Sequence, residues 1–281
     1  MINKIKRVVQ VIIRLFLAIT SKTSIGRYFN NQAAAVAMDQ VMLIHHNEID
    51  MKFAVPTRLS RWRVETFSGK EPETLEWIEN IPNGAVLWDI GANIGLYSVY
   101  AALKRNCKVW AFEPSVFNLE ILARNIFLNQ STEKICIVPL ALNDEPGSSH
   151  LRMTSTEWGG ASSTFGKDFG WDGKTIQEVF EFQTIGISIE DAVKKLFIPQ
   201  PDYIKMDVDG IEHLILKGGT SILKKIKGMI IEINDEFHAQ SDQCKKLLIK
   251  AGLSFKEKKH SNMFDNSDYK HAYNQIWIRS R

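Results

Sequence analysis

Acidic side chains follow two apolar runs of the chain, and glycines follow the first of these runs. Asp89 ends the run AVLWD and is followed by IGANIG, which contains Gly91, Asn93 and Gly95. Glu113 ends the later run KVWAFE. Glycine lets the backbone approach a bulky polar ligand, and an acid after a neighbouring strand is suited to accepting hydrogen bonds from ribose hydroxyls. These positions predict a site for a ligand that contains a ribose.

The spacing of the glycines separates two kinds of nucleotide ligand. A dinucleotide turn has the pattern G-x-G-x-x-G, but here Asn93 stands at the second glycine position and Asp89 precedes the first glycine. A carboxylate is unfavourable beside a pyrophosphate, whereas it suits a positive amino group. We therefore predict S-adenosylmethionine, which has an amino group, a sulfonium and a ribose. The alternative is that Gly91 and Gly95 only let a helix and a strand pack closely.

A second charged group stands at the end of the apolar run DYIKMDV. Lys205 and Asp207 lie in this run, and Asp209 and Glu212 follow it. Charges at the end of a buried strand are unfavourable unless they are paired or functional. Transfer of a methyl group to a hydroxyl releases a proton, which a carboxylate or histidine base can take. We predict Asp207 and Lys205 as catalytic residues, with His238 as a further candidate base.

Other interpretations of these side chains stay open. The cluster can be a structural lysine–aspartate pair with Asp209 and Glu212 capping a helix, or Asp207, Asp209 and Glu212 can hold a divalent cation; our prediction includes no metal. His238 can be an ordinary surface residue. Asp144 follows a further apolar run, so it either accepts a hydrogen bond from the adenine amino group or begins a turn.

Strand and helix patterns alternate through the middle of the chain. Strands are predicted at 85–89, 108–114 and 134–142, with helices between them, which is typical of a parallel sheet. Further predicted elements are a hairpin at 40–56, an inserted hairpin and loop at about 147–187, strands at 202–208 and 227–235, a single helix from 210 to 226, and a closing antiparallel hairpin.

The N-terminus is basic and apolar. Residues 1–38 contain six lysines and arginines and no acid. The segment VVQVIIRLFLAIT is shorter than the roughly 20 apolar residues that span a bilayer. In a helix, Arg7, Gln10 and Arg14 share one stripe and the apolar side chains lie elsewhere, so residues 3–21 are predicted to contact a membrane surface peripherally. A helix packed on the protein's own core and a signal peptide are the alternatives.

Three motifs taken in order are similar to those of FkbM-type methyltransferases: WDIGANIGLYS, VWAFEPSVFNLEILARNI and YIKMDVDGIEHLILKGG. The lead-in EPETLEWIENIPNGAVLWDIGANIG and the stretch GASST are also similar, and the resemblance covers about residues 70–235. It implies an α/β class I methyltransferase fold with a Rossmann-like, mostly parallel seven-stranded sheet, an antiparallel last strand and helices on both faces. It also implies S-adenosylmethionine as donor and commonly an oxygen acceptor, often on a sugar.

The resemblance assigns roles by position. Glu113 would hold the ribose and Asp144 the adenine, while Lys205 and Asp207 match the family's second motif. Asp209 stands where the family usually has a glutamate, and its shorter side chain makes a role that requires reach doubtful. The residues that would line the methionine part of the donor are Asp89, Gly91, Asn93 and Gly95.

We predict two parts of the chain: a basic amphipathic extension at 1–38 and a methyltransferase domain at 39–281, whose donor-binding core is about 70–235. The predicted function is S-adenosylmethionine-dependent O-methylation of a saccharide hydroxyl in a polysaccharide, glycolipid or natural product. One alternative is a membrane-associated binding or scaffold protein with a catalytically silent fold. The other is an N-methyltransferase, although the Asn/Asp-Pro-Pro-aromatic clamp of such enzymes does not follow the YIKMDVDG strand.

The composition fits this prediction. The chain has 281 residues, of which 44% are hydrophobic and 24% charged, as in ordinary globular proteins. A net charge of +3 is too small to indicate a nucleic-acid partner. Cys107, Cys136 and Cys244 have no metal-ligand spacing, so we expect reduced thiols and a cytoplasmic location, peripheral at the membrane.

Overall fold

The structure, a computed structural model, describes residues 2–279, with the side chains of Ile5 and of every residue from Arg7 to Arg279. The helices are α1 Ile2–Thr20, α2 Ser24–Met38, α3 Arg58–Glu65, α4 Phe67–Lys70, α5 Pro72–Glu79, α6 Leu96–Lys104, α7 Val116–Leu128, α8 Ile189–Lys194, α9 Glu212–Lys217, α10 Thr220–Leu223 and α11 His238–Lys250, with a short 3-10 turn at Asn262–Phe264. The strands are β1 Val41–His46, β2 Ile49–Ala54, β3 Val86–Ile90, β4 Lys108–Phe112, β5 Ile135–Val138, β6 Ala141–Leu142, β7 Gly147–Met153, β8 Ser163–Phe165, β9 Phe180–Ile187, β10 Tyr203–Met206, β11 Gly228–Asn234, β12 Ser254–Lys259 and β13 Ala272–Ile278.

A seven-stranded sheet forms the centre of the fold, in the order β12-β13-β11-β10-β3-β4-β5. Strands β11, β10, β3, β4 and β5 are parallel, and β13 runs antiparallel to both β11 and β12. The chain builds the sheet outward from β3 through β4 and β5, and later returns to place β10 on the other side of β3. The strand order therefore reverses between β3 and β10, which is where ligands bind in open α/β sheets.

Both faces of this sheet are covered, so its strands are apolar on both sides. Trp88 and Ile90 of β3 join one hydrophobic cluster with residues of α8, α9, α10 and α11. Leu87 of β3 and Val109 of β4 join the other cluster with residues of α5, α6 and α7. Successive side chains of a strand point to opposite faces, which explains why neighbours on β3 lie in different clusters. The predicted α/β class with helices on both faces is confirmed.

Two predicted elements are wrong in their extent. The single strand at 134–142 is divided at Pro139, which has no N–H for a strand ladder; β5 joins the central sheet, whereas β6 pairs with β9. The helix predicted from 210 to 226 is divided at Gly218 and Gly219 into α9 and α10. A Cβ on Gly218 would lie 2.5 Å from the carbonyl oxygen of Asn143, so glycine lets these two segments touch.

The inserted segment forms a second sheet in the order β6-β9-β7-β8. The predicted antiparallel pair is present as β7 and β9, but the pairing of β6 with β9 and the strand β8 were not expected from the sequence. Leu151 of β7 and Phe165 of β8 are buried in the hydrophobic cluster that also contains Trp88. The insertion is thus anchored to the same side of the central sheet as α8 to α11.

The N-terminal segment forms two helices, of which only the first was predicted. Of the residues predicted to face lipid, 3–21, the side chains of residues 3, 4 and 6 lie outside the described part. From Arg7 to Val36, every side chain is exposed except those of Thr20 and Asn30, and Gly26 is buried. The alternative in which this helix packs on the protein's own core is therefore not what the structure has. Between residues 2 and 279, no helix has the length and apolar character needed to cross a membrane.

Candidate active site

The glycine turn after β3 makes a close approach to the segment after β10. Gly91 has φ +82°, and a Cβ at this position would lie 1.8 Å from the carbonyl oxygen of Asp207. The amide groups of Gly91 and Ala92 both donate to the carbonyl oxygen of Phe112 at 3.0 Å. The turn is thus fixed between the ends of β4 and β10, and only glycine fits at its first position.

Glu113 lies directly after β4 and faces the same turn. Its Oε2 accepts a hydrogen bond from the Asn93 amide at 2.8 Å, and its Oε1 accepts one from the Ser115 amide at 2.8 Å. The side chain is 5% exposed. Burial raises the pKa of the Glu113 carboxyl to about 7, although these amide donors favour its charged form. The carboxylate is therefore held in one orientation by backbone groups at the mouth of the β3–β4 crevice.

Polar side chains hold the loop at 159–163 over this crevice. Asn93 Nδ2 donates to the carbonyl oxygen of Gly160 at 2.7 Å, and Asn118 Nδ2 donates to the same oxygen at 3.1 Å. Asp209 Oδ2 accepts from the Ser162 amide at 2.7 Å. Burial first, and then the charge of Asp207, raise the pKa of Asp209 to about 6. The loop contains the GASST stretch, so this motif forms a wall of the site.

Asp89 and Lys205 are paired across the point where the strand order reverses. They stand opposite each other in the β3–β10 register, and Lys205 Nζ lies 3.5 Å from Asp89 Oδ1 and 3.8 Å from Asp207 Oδ2. Lys205 is 4% exposed. Burial alone would lower the pKa of Lys205, but the charges of Asp89 and Asp207 raise it above its usual range. The lysine is thus a buried cation between two carboxylates.

The carboxylate of Asp89 is only partly satisfied. Its Oδ2 accepts a hydrogen bond from the Ser98 hydroxyl at 2.6 Å. Its Oδ1 makes no hydrogen bond to any residue from 2 to 279, although it is buried and close to the Lys205 ammonium. A buried acceptor without a donor is unfavourable. Asp89 Oδ1 therefore has Lys205 as an ion-pair partner but no hydrogen-bond donor within residues 2–279, and Asp89 lines neither of the two cavities at the glycine turn.

Two adjoining cavities meet at the turn that contains Gly91 and Asn93. The first, which we call the Glu113 cavity, has a volume of about 60 Å³ and combines Glu113 with apolar walls from Phe112, Leu140, Phe165 and Ile211. The second, the Glu232 cavity, has a volume of about 180 Å³ and is lined by charged side chains together with apolar and aromatic ones such as Trp62 and Phe264. The residues that line both are Gly91, Asn93, Ala161, Asp207 and Asp209.

Charged side chains line the Glu232 cavity. Lys70 Nζ lies 2.6 Å from Glu71 Oε1, and Glu71 is buried while the Lys70 side chain is 22% exposed. Burial raises the pKa of Glu71, but the charges of Lys70 and Lys205 outweigh it and lower the pKa to about 2. Glu232 has the opposite balance, because burial and the nearby charges of Asp207 and Glu71 raise its pKa well above the usual range. The pKa values of two carboxyls that face the same cavity are thus shifted in opposite directions.

One cation in the Glu232 cavity is not neutralised. Arg63 of α3 lines the cavity, and its Nε donates to the carbonyl oxygen of Gly159. Within residues 2–279, no carboxylate lies within ion-pair distance of the Arg63 guanidinium. The fifteen ion pairs that lysine and arginine form in this part of the chain all involve other residues. The two Nη atoms of Arg63 can therefore bind an anionic group on a ligand.

The structure does not bring every predicted residue into these cavities. Asp144 Oδ2 accepts from Lys217 Nζ at 2.9 Å and lines neither cavity. His238 is exposed at the first turn of α11 and also lines neither cavity. Gly95 packs against Leu122, so its Cβ position is occupied by a neighbouring helix rather than facing a cavity. Trp171 stacks on Tyr269 with ring centroids 4.4 Å apart, which fixes its loop to the C-terminal segment.

The cation interpretation is not supported by the orientation of its carboxylates. Glu212 accepts hydrogen bonds from the amides of Val208 and Gly210 at 3.1–3.3 Å and from the side chain of Gln240, so it closes the start of α9. Asp209 is turned to the loop amides. No cluster of three or more histidine, cysteine, aspartate or glutamate side chains within residues 2–279 has a metal-binding arrangement.

Sequence reasoning missed the α3–α5 wall of the site. Arg63, Lys70 and Glu71 line the Glu232 cavity from this wall, but none was predicted as a site residue. Glu232 lines it from β11 and was not predicted as a site residue either. One signal was present for Glu71, since it begins the EPETLEWI stretch that contributes to the family resemblance. For Arg63 and Lys70 the sequence offers only isolated charges in helical patterns.

Comparison with known proteins decides the family. The model of the methyltransferase FkbM domain matches residues 89–265, more than half of the chain. The chain belongs to the FkbM methyltransferase family. The predicted resemblance is confirmed, and with it the methyltransferase activity and S-adenosylmethionine as the cofactor.

Two curated proteins illustrate the relatives of this FkbM methyltransferase. It is 29% identical over 187 residues to the hexuronic acid methyltransferase AglP of Haloferax volcanii, an alignment that covers 65% of this chain and 70% of AglP. It is 35% identical over 71 residues to the methyltransferase sdnD of Sordaria araneosa, which covers 25% of this chain and 27% of sdnD.

Solved structures with a similar arrangement include methyltransferases of low sequence identity. The precorrin-6y C5,15-methyltransferase of Geobacter metallireducens is 14% identical with a TM-score of 0.40, and the alignment covers 74% of this chain and 87% of that one. TYW2 of M. jannaschii, solved in complex with AdoMet, is 12% identical with a TM-score of 0.43, and the alignment covers 85% and 87% of the two chains.

Proposed function

We propose that the protein transfers the methyl group of S-adenosylmethionine to a hydroxyl group of an acidic saccharide. The observation that carries this proposal is the meeting of the two cavities at Gly91 and Asp207. A donor bound beside Glu113 and an acceptor bound beside Glu232 would place their reacting atoms at this shared boundary. Holding two reactants in the right geometry is a large part of the catalytic effect in such reactions.

The residues at the Glu113 cavity fit the donor. The fixed carboxylate of Glu113 suits the two ribose hydroxyls, and the apolar walls suit a planar base. Gly91 and Asn93 line this cavity, where their backbone can lie close to the methionine part of the donor. Asp89 lines neither cavity, so its predicted contact with the methionine part stays a prediction that needs the buried Oδ1 to become accessible. Asp144 is bound to Lys217, so its predicted contact with the adenine stays a prediction that needs this ion pair to open.

Asp207 is the proposed base. The bound donor supplies a methyl group on a positively charged sulfur. The acceptor hydroxyl oxygen forms a bond to this methyl carbon as the carbon–sulfur bond breaks, and the hydroxyl proton passes to the carboxylate of Asp207, leaving a neutral thioether. Lys205 does not line either cavity, and its proposed role is to hold Asp207 in place from 3.8 Å.

The unpaired guanidinium of Arg63 supports an acidic acceptor. A uronic acid presents a planar carboxylate, which arginine can bind through two parallel hydrogen bonds. The name of the relative AglP, a hexuronic acid methyltransferase, is consistent with the same acceptor class.

We further propose a cytoplasmic location, which is supported by three free cysteines, Cys107, Cys136 and Cys244.

Calorimetry and an acceptor assay test the proposal together. Calorimetric titration with S-adenosylmethionine and S-adenosylhomocysteine is expected to show micromolar binding that Glu113→Ala weakens about tenfold or more, because a charged hydrogen-bond partner is lost. Glu120→Ala is the matched control, since this glutamate follows on α7 but is exposed and pairs with Arg124. Donor binding by Glu120→Ala is expected to equal that of the wild type.

The acceptor assay compares saccharides that contain uronic acids with their neutral counterparts. Arg63→Gln is expected to raise KM about tenfold or more for the acidic acceptors with little change in donor affinity. Arg61→Gln is the control, because Arg61 lies on the same helix but donates to Gln40 and does not line the cavity. Equal turnover of acidic and neutral saccharides would contradict the acceptor class, and no donor binding by folded protein would favour the scaffold alternative.

A further inference from the structure

We propose that helices α1 and α2, which we call the N-terminal hairpin, form a binding surface for anionic lipid membranes. This inference goes beyond methyl transfer and does not depend on it. It concerns α1 and α2, which lie outside the part of the chain that matches the FkbM domain, residues 89–265.

The hairpin displays apolar side chains that the rest of the molecule does not cover. Ile12 is 59% exposed, Phe16 53% and Ile19 66% on α1, and Ile25 is 84% and Val36 66% exposed on α2. Monomeric globular proteins rarely leave contiguous apolar patches of this kind in water, and such patches usually mark interaction sites.

The two helices nevertheless have a defined arrangement relative to each other. Gly26 lies so close to α1 that a Cβ there would be 2.0 Å from the carbonyl oxygen of Thr20. Asn30 Nδ2 donates to Ser21 Oγ at 2.9 Å, and Phe16 packs edge to face on Phe29 with centroids 6.3 Å apart. The apolar surface is thus part of a packed hairpin.

The charge of the segment indicates which partner covers this surface. Residues 1–38 carry six lysines and arginines and no acidic side chain. On α1, Arg7 and Arg14 lie on the opposite side of the helix from Ile12 and Phe16. A helix with one apolar and one basic face lies in the plane of a membrane interface and is attracted to anionic lipids. A second copy of the chain would instead bring twelve like charges together.

The hairpin joins the body of the protein next to the wall of the Glu232 cavity. Gln40, two residues after α2, accepts a hydrogen bond through its side-chain oxygen from Arg61 Nη2 at 3.1 Å. Arg61 precedes Trp62 and Arg63 on α3, and both of these line the cavity. The hairpin is therefore joined to the helix that supplies two residues of the cavity wall.

Vesicle binding by the full-length protein tests this proposal. Vesicles of phosphatidylcholine alone and vesicles that also contain phosphatidylglycerol are compared by co-sedimentation at increasing salt concentration. We expect binding to the anionic vesicles to be about tenfold tighter or more, and to weaken as salt rises. Equal binding to both vesicle types, or binding that salt does not change, would overturn the proposal, and this comparison needs no variant.

Variants locate the surface. The double change Arg7→Glu/Arg14→Glu is expected to weaken binding to anionic vesicles about thirty-fold or more, and Ile12→Ser/Phe16→Ser to weaken it about as strongly. The controls are Lys245→Glu/Lys246→Glu on α11, which also reverses two exposed lysines, and Phe127→Ser on α7, which removes an apolar ring that is 75% exposed.

The control variants are expected to bind like the wild type. If they lose as much affinity as the hairpin variants, the surface lies elsewhere. Analytical ultracentrifugation distinguishes the other occupant, because a dimer that forms through the hairpin and does not bind vesicles would assign the surface to a second copy. Donor binding, measured by calorimetry, is expected to be unchanged in every variant, which shows that each has folded.

Discussion

The Glu113 cavity and the Glu232 cavity share a boundary but are built in different ways. The Glu113 cavity takes its polar group from the end of β4 and fixes it with the amides of Asn93 and Ser115. The Glu232 cavity takes its charges from α3, α4, the start of α5, the segment after β10, and β11. In the first, backbone donors orient one carboxylate, whereas in the second, side chains from distant segments set one another's charge.

This difference matters for how each cavity responds to change. Backbone donors keep their positions as long as the strands are intact, so the Glu113 cavity depends mainly on the shape of the turn. In the Glu232 cavity, the pKa values of Glu71 and Glu232 shift in opposite directions because each carboxyl interacts with a different set of neighbouring charges. We therefore expect steric changes to act most strongly at the shared turn and charge changes to act most strongly at the Glu232 cavity.

The largest effect is expected for Gly91→Ala, which acts on both cavities. The new Cβ would meet the Asp207 carbonyl and the residue would keep a positive φ, so we expect a loss of about 3 kcal/mol or more in the free energy of unfolding and no measurable donor binding. Gly84→Ala is the control, since Gly84 has φ +77° but no atom within 4 Å of the new Cβ. Denaturant unfolding is expected to show a loss of about 1–2 kcal/mol for this control.

The next effect is expected for Asp209→Ala, which releases the loop at the boundary. The Ser162 and Ser163 amides lose their carboxylate acceptor, so they should exchange with deuterium faster, and donor affinity should fall about tenfold. Asp209→Asn keeps an acceptor oxygen and tolerates the φ of +62°, so it should retain most of the affinity. Slow exchange in Asp209→Ala would show that the loop is held by other contacts.

A smaller effect, confined to the Glu232 cavity, is expected for Glu232→Gln. The raised pKa of Glu232 means that the folded protein binds this proton more tightly than the unfolded chain does. The stabilisation that protonated Glu232 contributes is therefore fully present at pH values below the ordinary glutamate pKa of about 4.3. It is lost as pH rises through the raised pKa of Glu232 in the folded protein. Glutamine carries no charge, so Glu232→Gln should gain on the order of 1 kcal/mol over the wild type at pH 8 and nothing at pH 4.

Thermal or denaturant unfolding across this pH range checks the prediction for Glu232. The exposed Glu178 supplies the control, and Glu178→Gln is expected to leave the stability unchanged at both pH values. A gain at pH 8 that is equal in both variants would mean that it comes from the net charge of the protein and not from the cavity.

The smallest effect is expected for Asp144→Asn, which lies outside both cavities. Its ion pair with Lys217 is at the surface, where such pairs contribute about 0–1 kcal/mol. Donor affinity measured by calorimetry should change less than about threefold. A tenfold loss would instead support the adenine contact that the family resemblance implies for Asp144, and would extend the donor site beyond the Glu113 cavity.

The sequence alone determined the turn and the acidic residue that line the Glu113 cavity. Gly91 and Glu113 could be recognised because a turn after a strand is encoded by neighbouring residues, and the carboxyl ends of parallel strands meet at one edge of the sheet. The alternation of strands and helices predicted the fold class for the same reason. It did not reveal that the strand at 134–142 is divided between two sheets, because the pairing of β6 with β9 joins segments that are distant in sequence.

Only the tertiary structure decided the lining of the Glu232 cavity and the partners of the predicted charges. Lys205 is paired with Asp89 because β10 returns to lie beside β3, and Asp144 is paired with Lys217 because the chain folds back after β6. Arg63 lines the cavity, and no carboxylate among residues 2–279 lies within ion-pair distance of its guanidinium. No local sequence pattern could indicate this. Charge pairing depends on distances of a few ångströms between segments far apart in the chain, so it is fixed by packing and not by residue type.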